Sequence, residues 1–239
     1  MPSLRLLVLG ASGGCGRWLT RLAAASGHTV SAVVREGSSV EPLPNVTVRV
    51  GDVTDRGFLE RVVPGHDAVL SCLGIRRAGK VPWARVLSPA DFTERAARVL
   101  VPAMESSGVR RLVAISAGGV RDSAAQLTPV VRTILGMGNV ALQYRDLANM
   151  ERIVEATALD WLIVRPVTLV DGAPRGLARP VAHYGMFSHA RRSEVAEWML
   201  HAAEETGPFR ERHVMLASLS AAPRRQRPES AAVPAADRR

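Results

Sequence analysis

A glycine-rich segment lies between a short apolar run and an amphipathic segment near the start of the chain. Leu4–Leu9 is apolar, and Gly10, Gly13 and Gly16 follow it. The next segment, Gly14–Ser26, repeats apolar residues at helical intervals. A glycine-rich turn that joins a strand to the start of a helix is typical of sites where backbone N–H groups hold phosphates. The pattern therefore predicts a strand–turn–helix unit with a candidate phosphate loop.

Each glycine of this loop answers a different steric need. Gly10 permits a sharp turn after the strand, Gly13 lets the backbone approach a pyrophosphate, and Gly16 lets the helix pack on the strand. The N-terminus of the helix adds unpaired N–H donors and the positive end of its dipole. The loop also contains Ser12, Gly14 and Cys15. We expect Cys15 to be a small filler residue near the phosphates rather than a nucleophile.

Short apolar runs alternate with helical patterns along the rest of the chain. Strands are expected at Leu4–Leu9, Thr29–Val34, Val46–Val50, Ala68–Cys72, Arg111–Ser116 and Trp161–Val164. Helices are expected at Gly14–Ser26, Thr54–Val63, Ser88–Ser107, a segment ending near Thr157, and Ser193–Glu205 with Ser193 as its N-cap. Such alternation builds βαβ units, so the sequence predicts an α/β fold with a Rossmann-type, doubly wound parallel sheet covered on both faces. We expect one domain over residues 1–220, with a small C-terminal substrate-binding region near residues 166–192.

Composition limits the partners and the location of the protein. The net charge is +9, but aromatic residues make up only 4% of the chain, so the basic stripe with interleaved aromatics expected of a nucleic-acid partner is missing. No apolar run approaches the roughly 18 residues that cross a bilayer, and no signal peptide is evident. We therefore expect a cytoplasmic protein that binds neither nucleic acid nor membrane, with its two cysteines reduced. The arginine-rich tail, residues 221–239, is expected to be disordered.

The residue that follows the second expected strand favours one nucleotide over the other. An acidic residue at this place would accept a hydrogen bond from the adenosine ribose 2′-OH and select NAD(H). The strand instead ends in Val34-Arg35, and a guanidinium there would pair with the 2′-phosphate of NADP(H). Ser38 and Ser39 could add hydroxyl donors. Glu36 is the alternative, since it would supply the acid if the strand ran one residue further. NADP(H) is the preferred cofactor.

Several further motifs together resemble a known family. The chain resembles the atypical short-chain dehydrogenase/reductase proteins with an NAD(P)H-binding domain, which include the biliverdin/flavin reductase type and the NmrA-like proteins. The resemblance runs from Leu4 to about Ala217 and depends on the order and spacing of the motifs. Besides the glycine loop they are Gly51–Asp55, His66–Val69, Cys72–Gly74, Gly108–Val113, Leu159–Pro166 and Arg192–Ala196.

The resemblance implies residues that would hold the adenosine end of the cofactor. Asp52 and Val53 would lie at the edge of the adenine, with Asp52 accepting from its amino group. Cys72, Leu73 and Gly74 would line the ribose side. From residue chemistry alone, Asp52 could equally cap the next helix through an Asx turn.

The resemblance also implies residues for the rest of the cofactor. Arg76 would close over the phosphates, and Ser116, at the end of the fifth strand, would face the nicotinamide. Pro166 and Val167 would meet the carboxamide through backbone atoms. The alternatives are that Ser116 satisfies its own turn and that Pro166 only ends a strand.

The usual acid–base pair of alcohol dehydrogenases of this type is missing. That pair is Tyr-x-x-x-Lys, in which the lysine lowers the pKa of the tyrosine. Lys80 is the only lysine, and Tyr144, the fallback acid, has Ala148 at the lysine spacing. The other tyrosine is Tyr184. No Cys/His cluster suggests a metal site, so no metal is expected.

The sequence thus favours an NADPH-dependent reductase whose acceptor needs no protein acid, such as a flavin, a quinone or a related conjugated aromatic. It would act in secondary metabolism or supply a partner monooxygenase, as a monomer or homodimer, with Ser116 and Tyr144 as the candidate catalytic residues. A non-catalytic NADP(H) sensor of the NmrA-like type is the alternative. An isomerase or dehydratase that keeps its cofactor is a third, which the missing pair disfavours.

Overall fold

The computed structural model describes residues 2–218 apart from residues 80 and 82. Lys80 and the arginine-rich tail therefore lie outside the described residues. The strands are β1 (Arg5–Leu9), β2 (Thr29–Val34), β3 (Val46–Val50), β4 (Ala68–Ser71), β5 (Arg111–Ile115), β6 (Asp160–Pro166), β7 (Thr168–Val170), β8 (Ala178–Pro180), β9 (His189–Arg191) and β10 (His213–Ser218). The helices are α1 (Gly14–Ala25), α2 (Arg56–Val62), α3 (Phe92–Ser107), α4 (Pro129–Leu135), α5 (Gly138–Glu155) and α6 (Arg192–Glu204), with a 3-10 helix at Arg121–Gln126.

One sheet of eight strands organises the described part of the chain. Its order is β3-β2-β1-β4-β5-β6-β10-β8, in which the first seven strands are parallel and β8 runs antiparallel to β10. The strand order reverses between β1 and β4. Because ligands of open α/β sheets bind where the order reverses, at the carboxyl ends of the strands, this crevice is the first place to look for a site.

The strands at the centre are apolar on both sides because helices cover both faces. Leu6 and Val8 of β1 lie in one core cluster, and Leu7 and Leu9 lie in the other. Alternate residues of a strand point to opposite faces, so this division places one hydrophobic core above the sheet and one below it.

The helices divide between the two faces in the same way. The first core contains Leu19 of α1 and Met199 of α6. The second contains Leu59 of α2, Met104 of α3 and Met150 of α5. A parallel sheet with helices on both faces confirms the predicted doubly wound α/β fold, and the expected strands and most helices lie within a few residues of their predicted bounds.

One expected strand differs in its surroundings. β3 forms the edge of the sheet, and Val48 and Val50 are 42% and 58% exposed. The expectation that this strand is covered on both faces is wrong, because no described helix packs over the outer edge. Val50 instead faces the crevice described below.

The segment after β6 has more structure than its sequence indicates. β7 and β9 form a separate two-stranded parallel pair, and residues 171–188 leave and return at that pair. Within this excursion β8 joins the edge of the main sheet, and Tyr184 exchanges backbone hydrogen bonds with Gln126 and Thr128.

The start of α6 corrects one prediction. The helix begins at Arg192 with Arg191 as its N-cap, so Ser193 is not the capping residue. The Ser193 hydroxyl instead donates to the carbonyl oxygen of Gly172 at 3.0 Å, which joins α6 to the chain after β7.

Candidate cofactor site

The glycine loop forms a closed turn between β1 and α1. Gly10 has a φ of +76°, a conformation that residues with a side chain rarely adopt, and the Gly13 N–H donates to its carbonyl oxygen at 2.9 Å. A Cβ on Gly16 would lie 2.1 Å from the same oxygen. The predicted roles of Gly10 and Gly16 therefore have a direct steric basis, since the turn and the helix meet with no room for a methyl group.

The N-terminus of α1 is left open by the protein itself. Gly13 is the N-cap, no side chain caps the helix, and the first turn contains no acidic residue. The N–H groups of Gly14, Cys15 and Gly16 have no intrahelical partner and donate to none of the described residues. Unpaired donors at the positive end of a helix dipole fit a diphosphate. Gly13 lines the cavity while its own N–H closes the turn, so its predicted role of letting the backbone approach a pyrophosphate stays a prediction.

Arg35 lies directly after β2, as predicted. Its side chain is exposed, and Nε donates to the Ser38 hydroxyl at 3.2 Å. Glu36 lines the same cavity as Arg35. Because β2 ends at Val34, the guanidinium rather than the Glu36 carboxylate comes first after the strand.

Asp55 rather than Asp52 caps α2, so the alternative that Asp52 caps the next helix is wrong. Asp52 follows β3 and makes an Asx turn of its own. Its Oδ1 accepts from both the backbone N–H and the hydroxyl of Thr54, each at 2.8 Å. Both Asp52 and Val53 line the cavity, so the turn presents them to it. Turn formation and contact with a ligand are therefore compatible for Asp52.

These elements enclose a cavity of about 780 Å³ at the point where the strand order reverses. Ten of the fifteen residues predicted for the cofactor line it, namely Gly10, Ser12, Gly13, Arg35, Asp52, Val53, Cys72, Leu73, Gly74 and Arg76. The other lining residues are Val33, Val34, Glu36, Val50, Gly51, Leu87, Ser88, Pro89 and Phe92, of which the sequence singled out only Glu36, as the alternative acid for the ribose. Those after residue 86 could not be found from sequence, because an antiparallel bridge between Arg77 and Val86 brings them back to the crevice.

Gly14, Cys15 and Gly16 lie behind the lining of the cavity rather than in it. Cys15 is 6% exposed, and burial raises the pKa of its thiol to about 12. Burial also raises the pKa of the Cys72 thiol well above its usual value. Neither cysteine is therefore a ready thiolate nucleophile, which agrees with the expectation for Cys15.

Ser116 lies just after β5 with its hydroxyl buried and unpartnered. The residue is 7% exposed, and Oγ has no hydrogen-bond partner among the described residues. Its N–H donates to the carbonyl oxygen of Val164 at 2.7 Å. Because the hydroxyl bonds to no described residue, the alternative that it satisfies its own turn is wrong. A buried hydroxyl without a partner costs free energy unless something else bonds to it.

Pro166 and Val167 use their backbone groups within the fold. The Pro166 carbonyl accepts from Gly118 N–H at 2.9 Å, and the Val167 N–H donates to Leu216 at 3.0 Å. The Val167 N–H is therefore already bonded to β10, and the expected contact of these two residues with a carboxamide through backbone atoms stays a prediction. Neither residue lines the cavity.

Tyr144 is held in a structural hydrogen bond. Its hydroxyl donates to the Gly118 carbonyl at 3.0 Å, and burial raises the pKa of the phenol well above its usual value. The ring of Tyr184 packs at the same glycine, and its hydroxyl pairs with Thr168 at 2.8 Å. A tyrosine with a raised pKa and an occupied proton is a poorer acid than the free residue, so the geometry gives no support for the fallback role of Tyr144.

The other groups considered as proton carriers have different surroundings. Asp146 is buried and accepts from the N–H and the hydroxyl of Thr93 and from the N–H of Glu94, so it fixes the start of α3. His183 is exposed, and His189 bonds the Phe187 carbonyl through Nδ1. None of them lines the cavity.

A group of Glu151, Glu155 and His213 has ligand atoms within 4.8 Å of one another. Arg165 bonds both carboxylate oxygens of Glu151, at 3.0 and 2.7 Å, and Arg121 pairs with Glu155. The arginines already balance these carboxylates, so the group is an ion-pair network between α5 and the sheet.

Comparisons with known proteins identify the family. Residues 10–206 match the NAD(P)H-binding family, and the chain belongs to it. It is 31% identical over 195 residues to a 3-diazoavenalumate denitrifying reductase from a Streptomyces species, an alignment that covers 74% of this chain and 59% of that protein. The chain thus spans less than two thirds of that relative.

Solved structures show the same fold. ChuY, an anaerobillin reductase from Escherichia coli O157:H7, superposes with a TM-score of 0.67 at 23% identity, over 89% of this chain and 96% of that one. A short-chain dehydrogenase/reductase from Veillonella parvula DSM 2008 in complex with NADP superposes with a TM-score of 0.71 at 15% identity, over 91% and 95%. Among the described helices, none has the length and apolar character that crossing a bilayer requires.

Proposed function

We propose that the protein is an oxidoreductase that uses NADPH to reduce a flavin, a quinone or a related conjugated aromatic acceptor. The observation that carries the proposal is the cavity that the phosphate loop and Arg35 line together. Relatives in the family that are named reductases support it. NADPH supplies a hydride when bound in a site of this kind.

The residues around the cavity have distinct binding tasks in this proposal. The open N-terminus of α1 binds the diphosphate, and Arg35 with Ser38 binds the 2′-phosphate. Val53 and Leu73 supply apolar surface for the adenosine. Glu36 lines the same cavity, and its carboxylate would favour NADH by accepting from the ribose 2′-OH. Replacement of Arg35 measures which of these two side chains sets the nucleotide preference.

The choice of acceptor follows from the groups near the end of β5. Hydride transfer to a ketone requires an acid to protonate the new alkoxide, and the Tyr144 hydroxyl is engaged with Gly118. A quinone takes the hydride and one proton from water to become a hydroquinone, so positioning suffices. In this proposal the Ser116 hydroxyl, which is buried just after β5 and has no partner among the described residues, donates to an acceptor oxygen.

The test mixes the purified protein with NADPH and, in turn, FMN, riboflavin and naphthoquinones, and follows the nicotinamide absorbance band. Oxidation of NADPH in equal amount to acceptor reduced is the expected result. Tight NADPH binding without oxidation by any of these acceptors would refute the reductase and support a non-catalytic sensor.

A matched pair of variants tests the role of Ser116. Ser116 and Thr20 both have buried hydroxyls without a partner among the described residues, and neither lines the cavity. Ser116 directly follows β5 at the carboxyl edge of the sheet, whereas Thr20 lies within α1. We expect Ser116→Ala to lower turnover about two- to tenfold, as for loss of one hydrogen bond, while Thr20→Val leaves it unchanged. If Ser116→Ala and Thr20→Val had the same turnover number, Ser116 would have no role in the reaction.

A further inference from the structure

The first residue of α6 packs its side chain against the phosphate loop. A Cβ built on Gly14 would lie 2.5 Å from Cδ of Arg192 and 2.7 Å from its Nε. The end of the arginine therefore occupies the space directly over the first residue of α1. Only glycine at position 14 leaves room for it, which gives this glycine a purpose that the loop pattern alone does not suggest.

An ion pair holds the guanidinium in this place. Nη1 of Arg192 donates to Oδ1 of Asp171 at 2.7 Å, and the Arg192 side chain is 22% exposed. Asp171 directly follows β7 and Arg192 directly follows β9, and these two strands pair in parallel. The backbone thus sets the two side chains next to each other at the carboxyl ends of adjacent strands.

Two of the three guanidinium nitrogens of Arg192 take no part in the bond to Asp171. Nε and Nη2 of Arg192 donate to none of the described residues, although the side chain is largely buried against Gly14. Because the Arg192 side chain is 22% exposed, water or an anion can bond these remaining N–H groups. The unpaired N–H groups at the start of α1, where Arg192 packs over Gly14, favour an anion at the same end of the helix.

We propose that Arg192 is a further binding residue for the diphosphate of the cofactor, with Asp171 as its positioning residue. The inference rests on the cofactor site proposed above. A diphosphate carries full negative charge, whereas the α1 N–H groups offer only partial positive charge. Arg192 adds a formal charge with two N–H donors in a fixed fork. In this proposal Arg192, the first residue of α6, supplies the positive charge that the phosphate loop itself lacks.

The test compares NADPH with adenosine 2′-monophosphate, which has the 2′-phosphate but no diphosphate. In isothermal titration calorimetry, Arg192→Gln is expected to raise the Kd of NADPH about ten- to a hundredfold, as for a lost charged hydrogen bond, and to change the Kd of adenosine 2′-monophosphate less than about twofold. Arg192→Lys keeps the charge without the fork, so its loss of NADPH affinity should be smaller.

Two further variants make the result specific. Arg179→Gln removes an exposed arginine of β8 that makes no ion pair with a described carboxylate, and its NADPH affinity should equal that of the wild type. Gly14→Ala leaves Arg192 in the chain but displaces it with a methyl group, so it should reproduce the selective loss of NADPH binding. The thermal unfolding midpoint of each variant shows that it is folded.

Three outcomes would overturn the inference. Unchanged NADPH binding by Arg192→Gln would show that the arginine takes no part. Equal weakening of both probes would show that it acts through the fold or the overall charge. If the wild-type protein bound no NADPH, the proposed function itself would fail and this inference with it, which the first two outcomes would not imply.

Discussion

Replacing Arg35 with alanine should separate the two nicotinamide cofactors. NADPH and NADH differ only in the 2′-phosphate, and Arg35 is the cation that directly follows β2 at the cavity. The variant removes the guanidinium and leaves the glycine loop intact. Binding of NADPH should weaken, and binding of NADH should remain nearly the same.

The magnitude follows from the surroundings of the side chain. A hydrogen bond to a charged group contributes about 1.5–3 kcal/mol, which is about ten- to a hundredfold in Kd. Arg35 is exposed, and its Nε already donates to Ser38 at 3.2 Å, so the lower part of this range is expected. Screening by salt should reduce the effect further, because the Debye length falls from about 30 Å at 0.01 M to about 3 Å at 1 M.

The assay is titration calorimetry of both nucleotides at low and high salt. Arg49→Ala is the matched control, since Arg49 lies exposed on the adjacent strand β3 and does not line the cavity. A loss of the same size for NADPH and NADH would refute the 2′-phosphate role. Tighter binding of NADH than of NADPH by the wild-type protein would show that the Glu36 carboxylate dominates this wall.

Two further predictions concern the loop and the stability of the fold. Gly16→Ala should weaken NADPH binding and lower the free energy of unfolding by about 1–3 kcal/mol in urea titration, because its Cβ would lie 2.1 Å from the Gly10 carbonyl oxygen, whereas Gly176→Ala, with open space around it, should do neither. Equal effects would contradict the steric account. The hydrogen bond from Arg165 lowers the pKa of the Asp122 carboxyl, so its stabilisation should be complete above the unfolded pKa of about 4 and disappear as the pH falls through the lower folded pKa. Asp122→Asn should therefore flatten the acid side of the stability–pH profile, and a profile parallel to the wild type would contradict this.

The sequence predicts the central sheet well because its signals are local. Continuous apolar runs define β1, β4 and β5, and a glycine turn joins β1 to α1. β10 also has an apolar sequence, but no helical pattern follows it, so local signals do not distinguish it from the arginine-rich tail. The three-residue strands β7, β8 and β9 are too short for any periodicity to show.

The site is predictable where its residues lie in the glycine loop or in the first few positions after a strand. Arg35, Asp52 and Cys72 each follow a strand of a parallel sheet, so their side of the molecule can be inferred from topology. The contact between Gly14 and Arg192 joins residues far apart in the chain, and no local pattern encodes it. Likewise, the bond between Val167 and Leu216 requires a strand pairing that the sequence does not reveal.

The pairing of β7 with β9 holds the two ends of the intervening segment together. Because residues 172–188 leave and re-enter the fold at adjacent points, their length can change while Asp171 and Arg192 keep their places. Loop extension costs little free energy, about 0.6 kcal/mol per doubling. A change in the length of residues 172–188 should therefore leave the phosphate loop and its contact with Arg192 in place.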